Sequence, residues 1–238
     1  MNHRDGSSVA AQAYEHIRSR LSRGEFPAGM QLVTRHIAQE LGASLNPVRE
    51  AIGRLAAEGL VDHVPGAGAF VHNPTPQEII ELYEFREAIE PAAAAKAART
   101  ITELELDILR AICDDQHAMV RSLREPPGHL QEDSLQDWLS TEERFHETLI
   151  RAARNMYFDR TVNNSRFLTR LFQSHLSLGV NVDLQVAART WLSHVRILRA
   201  LERGDGDAAA AIMRYSLRRG LAMVLGVNKS TGLMNGRK

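Results

Sequence analysis

The sequence predicts a mainly α protein in two parts: a small N-terminal unit of three helices closed by a β-hairpin, then an all-α six-helix bundle. Three observations carry that expectation. Apolar residues recur at three- and four-residue spacing along most of the chain, the period of a helix with one buried face. Glycine and proline gather at residues 24–29, 65–68 and 73–76, where they interrupt helices and form turns. Aromatic residues make up only 5%, with many Ala and Leu, which suits helices in small-residue contact better than a β-sandwich.

The elements follow in order. Residues 8 to 23 form a helix with Ala13, Ile17 and Leu21 at successive i+4 steps. "GEFPAGMQL" ends it through Gly24, Pro27 and Gly29. A short helix runs from about Thr34, expected as its cap, to Leu41. Gly42 and Ala43 make a tight turn into a third helix that reaches about Glu58. There Val48, Ala51, Ile52 and Leu55 share one face, and Leu45, Asn46, Arg49 and Gly53 lie opposite. "GLVDHVPGAGAFVH" reads as strands at about 60–64 and 68–72 around the Pro65–Gly68 turn. "NPTP", residues 73 to 76, is a linker, so the first domain is expected at 8–73.

Beyond it, helices are expected at about 76–99, 103–124, 131–153, 156–178, 184–203 and 205–225. Thr100–Thr102, Glu125–Gly128, Asn155, Gly179–Asp183 and Gly204 separate them. Such helices on short connections pack as an antiparallel bundle, here a second domain at 76–226. Pro91 is expected to kink the first of them. The polar tail 227–238 is expected to be disordered.

Composition narrows the function classes. The formal net charge is zero, and through residue 75 seven arginines face seven acidic residues, so any nucleic-acid surface must be local. Cys113 is the only cysteine, which excludes an internal disulfide and a multi-Cys zinc site and suits a reducing cytosol. The start, MNHRDGSS, lacks the apolar core of a signal peptide, and no uncharged apolar run reaches the ~18 residues of a membrane span. A cytoplasmic protein without membrane contact is expected.

Two helices joined by a glycine turn, the second followed by a hairpin, form a winged helix-turn-helix. The opening of its second helix fits contact with DNA. Pro47 sits in the first turn, where the amides have no intrahelical acceptor and a missing N–H costs nothing. Ser44 or Asn46 can cap one of those amides, and the positive end of the helix dipole points at an anion such as a phosphate. Arg49, one turn in, can reach a guanine edge with both arms of its guanidinium, while Arg35 is placed for a phosphate or a base. The alternative is an ordinary capped surface helix with Arg49 in a solvent salt bridge.

"GEFPAGMQL", "IAQELGASLNPVREAIGRLAAEGLV" and "PGAGAFV", in that order, resemble the N-terminal domain of GntR-family transcription regulators. "LYEFREAIEPAAAAKAA", "FHETLIRAARN" and "ALERGDGDAAAAIM" resemble the all-helical, ligand-binding C-terminal domain of the FadR subfamily. With six helices the chain looks closest to the VanR-like branch; the resemblance spans about residues 12 to 226. It implies DNA contacts at Arg35, Ser44, Asn46, Arg49 and, at the wing tip, Gly66. Where the family has a base-reading arginine, this chain has Leu45, which can touch a thymine methyl but cannot pair with guanine. The implied operator therefore departs from the family's common pattern.

Family members often hold a divalent metal in the bundle through one Asp and three His, and the matching positions here are Glu142, His146, His194 and Ser216. Glu142 and His146, four apart, share a helical face, and with His194 they make a carboxylate-and-imidazole set for zinc, nickel or manganese. Ser216, a poor neutral ligand, leaves two readings: a weakly held or effector-completed metal, or a metal-free cavity in which His146, His194 and Ser216 meet the effector. Arg86 matches a family arginine and can bind an effector carboxylate through its guanidinium fork or pair with Glu90 at i+4. Asn155 lies near the implied cavity and also fits a helix cap.

An enzyme is the rival class. "ERFH", Glu143 to His146, is a Glu-x-x-His of the di-iron type, but the nearest second copy, "DDQH" at 114–117, offers Asp114 instead of a glutamate. No Gly-rich phosphate loop or nucleophile elbow is present. The third possibility is a DNA-binding protein without a small effector. The reading preferred is a homodimeric, ligand-responsive regulator of a near-palindromic operator, a repressor released by a small organic acid rather than an enzyme.

Overall fold

The computed structural model describes residues 8–125, 129–175 and 182–225, with the side chains of 132, 133 and 170–175 outside the description. The expected tail and parts of the connections at 125–128 and 179–183 also lie outside the described residues.

The N-terminal unit is built on α1 (Val9–Ser22), α2 (Thr34–Glu40) and α3 (Leu45–Ala57). The Ser8 hydroxyl caps α1 by accepting from the Ala11 amide at 3.1 Å, and Ala13, Ile17 and Leu21 are fully buried. Thr34 is not the cap of α2. The Val33 carbonyl already accepts from the His36 and Ile37 amides, so Val33 is the N-cap, without a side-chain bond, and Thr34 is the first helical residue. Gly42, at φ +60°, closes the turn, where a Cβ would be strained. Val48, Ala51, Ile52 and Leu55 then face inward from α3 against α1 and α2. Burying each such Val, Leu or Ile side chain contributes about 1.5–3 kcal/mol.

Strands β1 (Val61–Val64) and β2 (Gly68–Val71) pair antiparallel from Val61↔Val71 to Val64↔Gly68. A third extended segment was not visible as a strand in the sequence. The Gly29 amide donates to Val71, the Val71 amide to Met30, and the Leu32 amide to Ala69, at 2.8–2.9 Å. This segment is too short to show an alternating pattern; its pairing follows from the chain crossing the free edge of β2.

The bundle consists of α4 (Pro76–Thr100), α5 (Glu103–Ser122), α6 (Glu132–Ala152), α7 (Met156–His175), α8 (Leu184–Glu202) and α9 (Gly206–Val224). The helix α4 continues through Pro91, which is buried. It packs most extensively on α9, and the backbones come close: a Cβ on Gly206 would stand 2.8 Å from the Ala95 carbonyl oxygen. Thr102 and Glu105 form a capping box at the start of α5. The core includes Ile112, Phe145, Leu149, Ile150, Ile197 and Met213, and a smaller cluster gathers Val120, Leu123, Trp138, Val182 and Ala187. From Arg166 onward α7 groups with the N-terminal unit, where the Arg18 guanidinium lies 4.4 Å above the Phe167 ring. Among the described residues no helix is long and apolar enough to cross a membrane.

Candidate functional site

The outer face of α3 is exposed where the sequence places DNA contacts. Ser44, Leu45, Asn46 and Arg49 are all exposed, as are Arg35 on α2 and Gly66 at the hairpin tip. Ser44 is the N-cap of α3, but its side chain makes no capping bond, which leaves first-turn amides open for an external acceptor. Neither Arg35 nor Arg49 forms an ion pair or hydrogen bond among the described residues. Behind the surface, the Tyr14 hydroxyl donates to Glu58 at 2.6 Å and Arg54 stacks over the Tyr14 ring at 4.2 Å, tying the end of α3 to α1. Burial, and then the bond to Glu58, push the Tyr14 hydroxyl up to about 12.

Inside the bundle, Glu142 and His146 on α6 and His194 on α8 converge, with their ligand atoms within 4.8 Å of one another. His146 and His194 are buried and Glu142 is partly exposed. The two imidazole Nε2 atoms stand 3.3 Å apart. Two nitrogens bound to one ion at ~2.1 Å sit roughly 3.0–3.4 Å from each other, so the pair fits a shared divalent cation. Phe145 stacks on the His194 ring at 3.9 Å between centroids and holds its plane.

One residue of this site escaped the sequence reading. Gln116 on α5 is fully buried and touches both ligand helices. Its Nε2 donates to Glu142 Oε1 at 2.9 Å and to Thr141 Oγ1 at 3.2 Å, and its Oε1 lies 2.9 Å from His194 Nδ1. Gln116 belongs to the "DDQH" run, which the sequence offered for Asp114 and His117 as a second di-iron half. That arrangement does not form: Asp114 and Glu143 are exposed, and His117 stacks on Trp191.

The Ser216 hydroxyl on α9 is buried with no hydrogen-bond partner among the described residues. Arg86 donates to Glu90 at 2.6 Å, both side chains buried. Burial works to lower the arginine's pKa, but Glu90 and Tyr83 outweigh it and raise it. Asn155 Oδ1 accepts from the Tyr157 amide at 3.0 Å, a cap at the start of α7. His129 bridges to Asp183, while the His175 side chain lies outside the described residues. The Cys113 thiol is buried, and burial pushes it up to about 12, which leaves it unreactive.

Comparison with known proteins agrees with both halves. Residues 9–71 match the model described as bacterial regulatory proteins, gntR family, and residues 81–219 match the FCD domain. The chain is 36% identical over 141 residues to an uncharacterized HTH-type transcriptional regulator in the TAR-I ttuE-ttuC' intergenic region of Agrobacterium vitis, covering 59% of this chain and 78% of that one. It is 24% identical over 209 residues to the HTH-type transcriptional repressor RspR of Escherichia coli (strain K12), covering 88% and 86%. The solved structure of E. coli McbR/YncC superposes with a TM-score of 0.76 at 18% identity, over 93% of this chain and 99% of that one, a likeness of fold. A winged helix-turn-helix with an open recognition face, followed by a helical bundle matched as FCD, makes the chain a member of the GntR family of DNA-binding transcription regulators, not an enzyme.

Proposed function

We propose that this protein is a dimeric repressor whose DNA-binding domain, 8–73, reads a near-palindromic operator and whose effector domain, 76–226, releases it on binding a small organic acid. The observation that carries the effector half is the convergence of Glu142 with the buried His146 and His194. A carboxylate and two imidazoles brought to one point are the donor types that hold a divalent cation. The residues fit a zinc, nickel or manganese ion held weakly by these three ligands. A bound ion would supply a positive centre that an effector carboxylate can complete.

On the DNA side, Arg49 and Arg35 would contact bases and phosphates, Ser44 and Asn46 the backbone at the start of α3, and Gly66 would let the wing approach closely. Leu45, 37% exposed, would lie against a thymine methyl. The word repressor is supported by the name of RspR. Arg86, already held by Glu90, is read as structural, and Asn155 as a helix cap.

Nuclease protection of the DNA flanking its own gene, with small carboxylic acids added one at a time, tests the reading. A protected near-palindrome that one acid releases is the expected result. Protection that no acid and no metal alters would leave a DNA-binding protein without an effector.

A further inference from the structure

We infer that Gln116 is a positioning residue of the Glu142–His146–His194 site, locking His194 in the Nδ1–H tautomer so that its Nε2 lone pair faces the shared centre. The inference rests on the cation reading given above and adds how this chain prepares the site.

The Thr141 hydroxyl donates to the Trp138 carbonyl at 2.7 Å, so its single proton is used and Oγ1 can only accept from Gln116. Glu142 as a carboxylate also only accepts. Both neighbours at 3.2 and 2.9 Å therefore require the NH₂ end of the Gln116 amide, and its orientation is fixed without reference to histidine. The opposite end, Oε1, is an acceptor and lies 2.9 Å from His194 Nδ1. That nitrogen must carry the proton. Glu142 Oε1 stands 3.5 Å from the same nitrogen, beyond ordinary hydrogen-bond length, so Gln116 is the acceptor that fixes the proton.

A neutral imidazole protonated on Nδ1 has its lone pair on Nε2, the atom 3.3 Å from His146 Nε2. The chain of bonds from Trp138 through Thr141 and Gln116 thus turns a lone pair toward the centre before any ion arrives. Outer partners of this kind fix tautomer and ring orientation, and their loss weakens metal binding by about 10–100-fold. The same polarity disfavours a bare carboxylate there, since it would meet an anionic Glu142 and an electron pair on His194.

The test uses the full-length protein with histidine ¹⁵N label and no metal, and His194→Gln assigns the resonance. Long-range proton–nitrogen correlation should show His194 protonated on Nδ1. Gln116→Met, similar in size and without polar atoms, should bring in the Nε2–H form. Zn²⁺ affinity at fixed pH, by calorimetry, should fall about 10–100-fold in that variant. An Nε2–H tautomer in the wild type, or an unchanged tautomer in Gln116→Met, overturns the proposal, and the wild-type spectrum decides even if that variant does not fold. If the tautomer follows Gln116 while no protein binds Zn²⁺, the positioning role is upheld and the cation reading falls.

Discussion

Arg49 is exposed, unpaired among the described residues and one turn into α3, so replacing it is expected to act on DNA binding rather than on the fold. Arg49→Ala is expected to cost about 1–3 kcal/mol of operator binding and to relax preference at one position per half-site, measured by mobility shift. Unchanged affinity would remove the recognition role. Leu45→Arg should move the selected half-site toward guanine at one step; identical consensus sequences from random-oligonucleotide selection would show that position 45 does not face the bases. In the bundle, Glu90→Gln leaves the buried Arg86 guanidinium without its countercharge. Loss of about 3–5 kcal/mol in urea unfolding is expected, and DNA contacts should be untouched in whatever folds. The resemblance drew attention to Glu142, His146 and His194 as residues. Gln116 was invisible because its role is a relay across three helices, and no spacing within one helix encodes that.

At the scale of elements, two junctions join helices closely: the end of α3 on α1 and the start of α9 on α4. Tyr14→Phe removes the bond to Glu58 and should cost about 1 kcal/mol. The sign with pH is fixed by the raised hydroxyl: the unfolded tyrosine ionises near 10, the folded one only at about 12. The Tyr14 contribution is therefore complete below pH 10 and lost between 10 and about 12, so the alkaline loss of stability in wild type should be smaller in Tyr14→Phe. Gly206→Ala pushes a methyl to 2.8 Å from a backbone oxygen of α4 that cannot rotate away. About 1–3 kcal/mol of destabilisation is expected in thermal or urea unfolding, and a neutral result would mean that α9 shifts freely on α4. The helices were legible to within a few residues because each carries its own apolar period and its own stop. The segment 29–32 was not, since its extended pairing is set by the edge of β2.

For the whole molecule, Ser216→His is the informative change. Where the three ligands share one centre, a fourth imidazole from α9 should raise metal affinity strongly, read as metal content after dialysis. Stoichiometric metal in the wild type would mean that another group completes the site, and none in either protein would return His146 and His194 to effector contacts or packing. A binding ion also stabilises the fold, by about 2.7 kcal/mol at a hundred times its dissociation constant. An unfolding midpoint that moves with Zn²⁺ in Ser216→His and less in wild type is the expected pair of results.

By itself the sequence determined the mainly α fold, the order of elements, the buried face of α3 and the exposure of Arg49 and Leu45. These follow from periodicity and from turn residues, which act over a few positions and can be read locally. Its motifs also pointed to the family. Only the tertiary structure decided which partner each polar group takes: Glu90 for Arg86, Glu58 for Tyr14, and Gln116 for both His194 and Glu142. Those pairings join residues up to 78 positions apart, and the tautomer of His194 depends on hydrogen bonds that exist only when α5, α6 and α8 lie side by side.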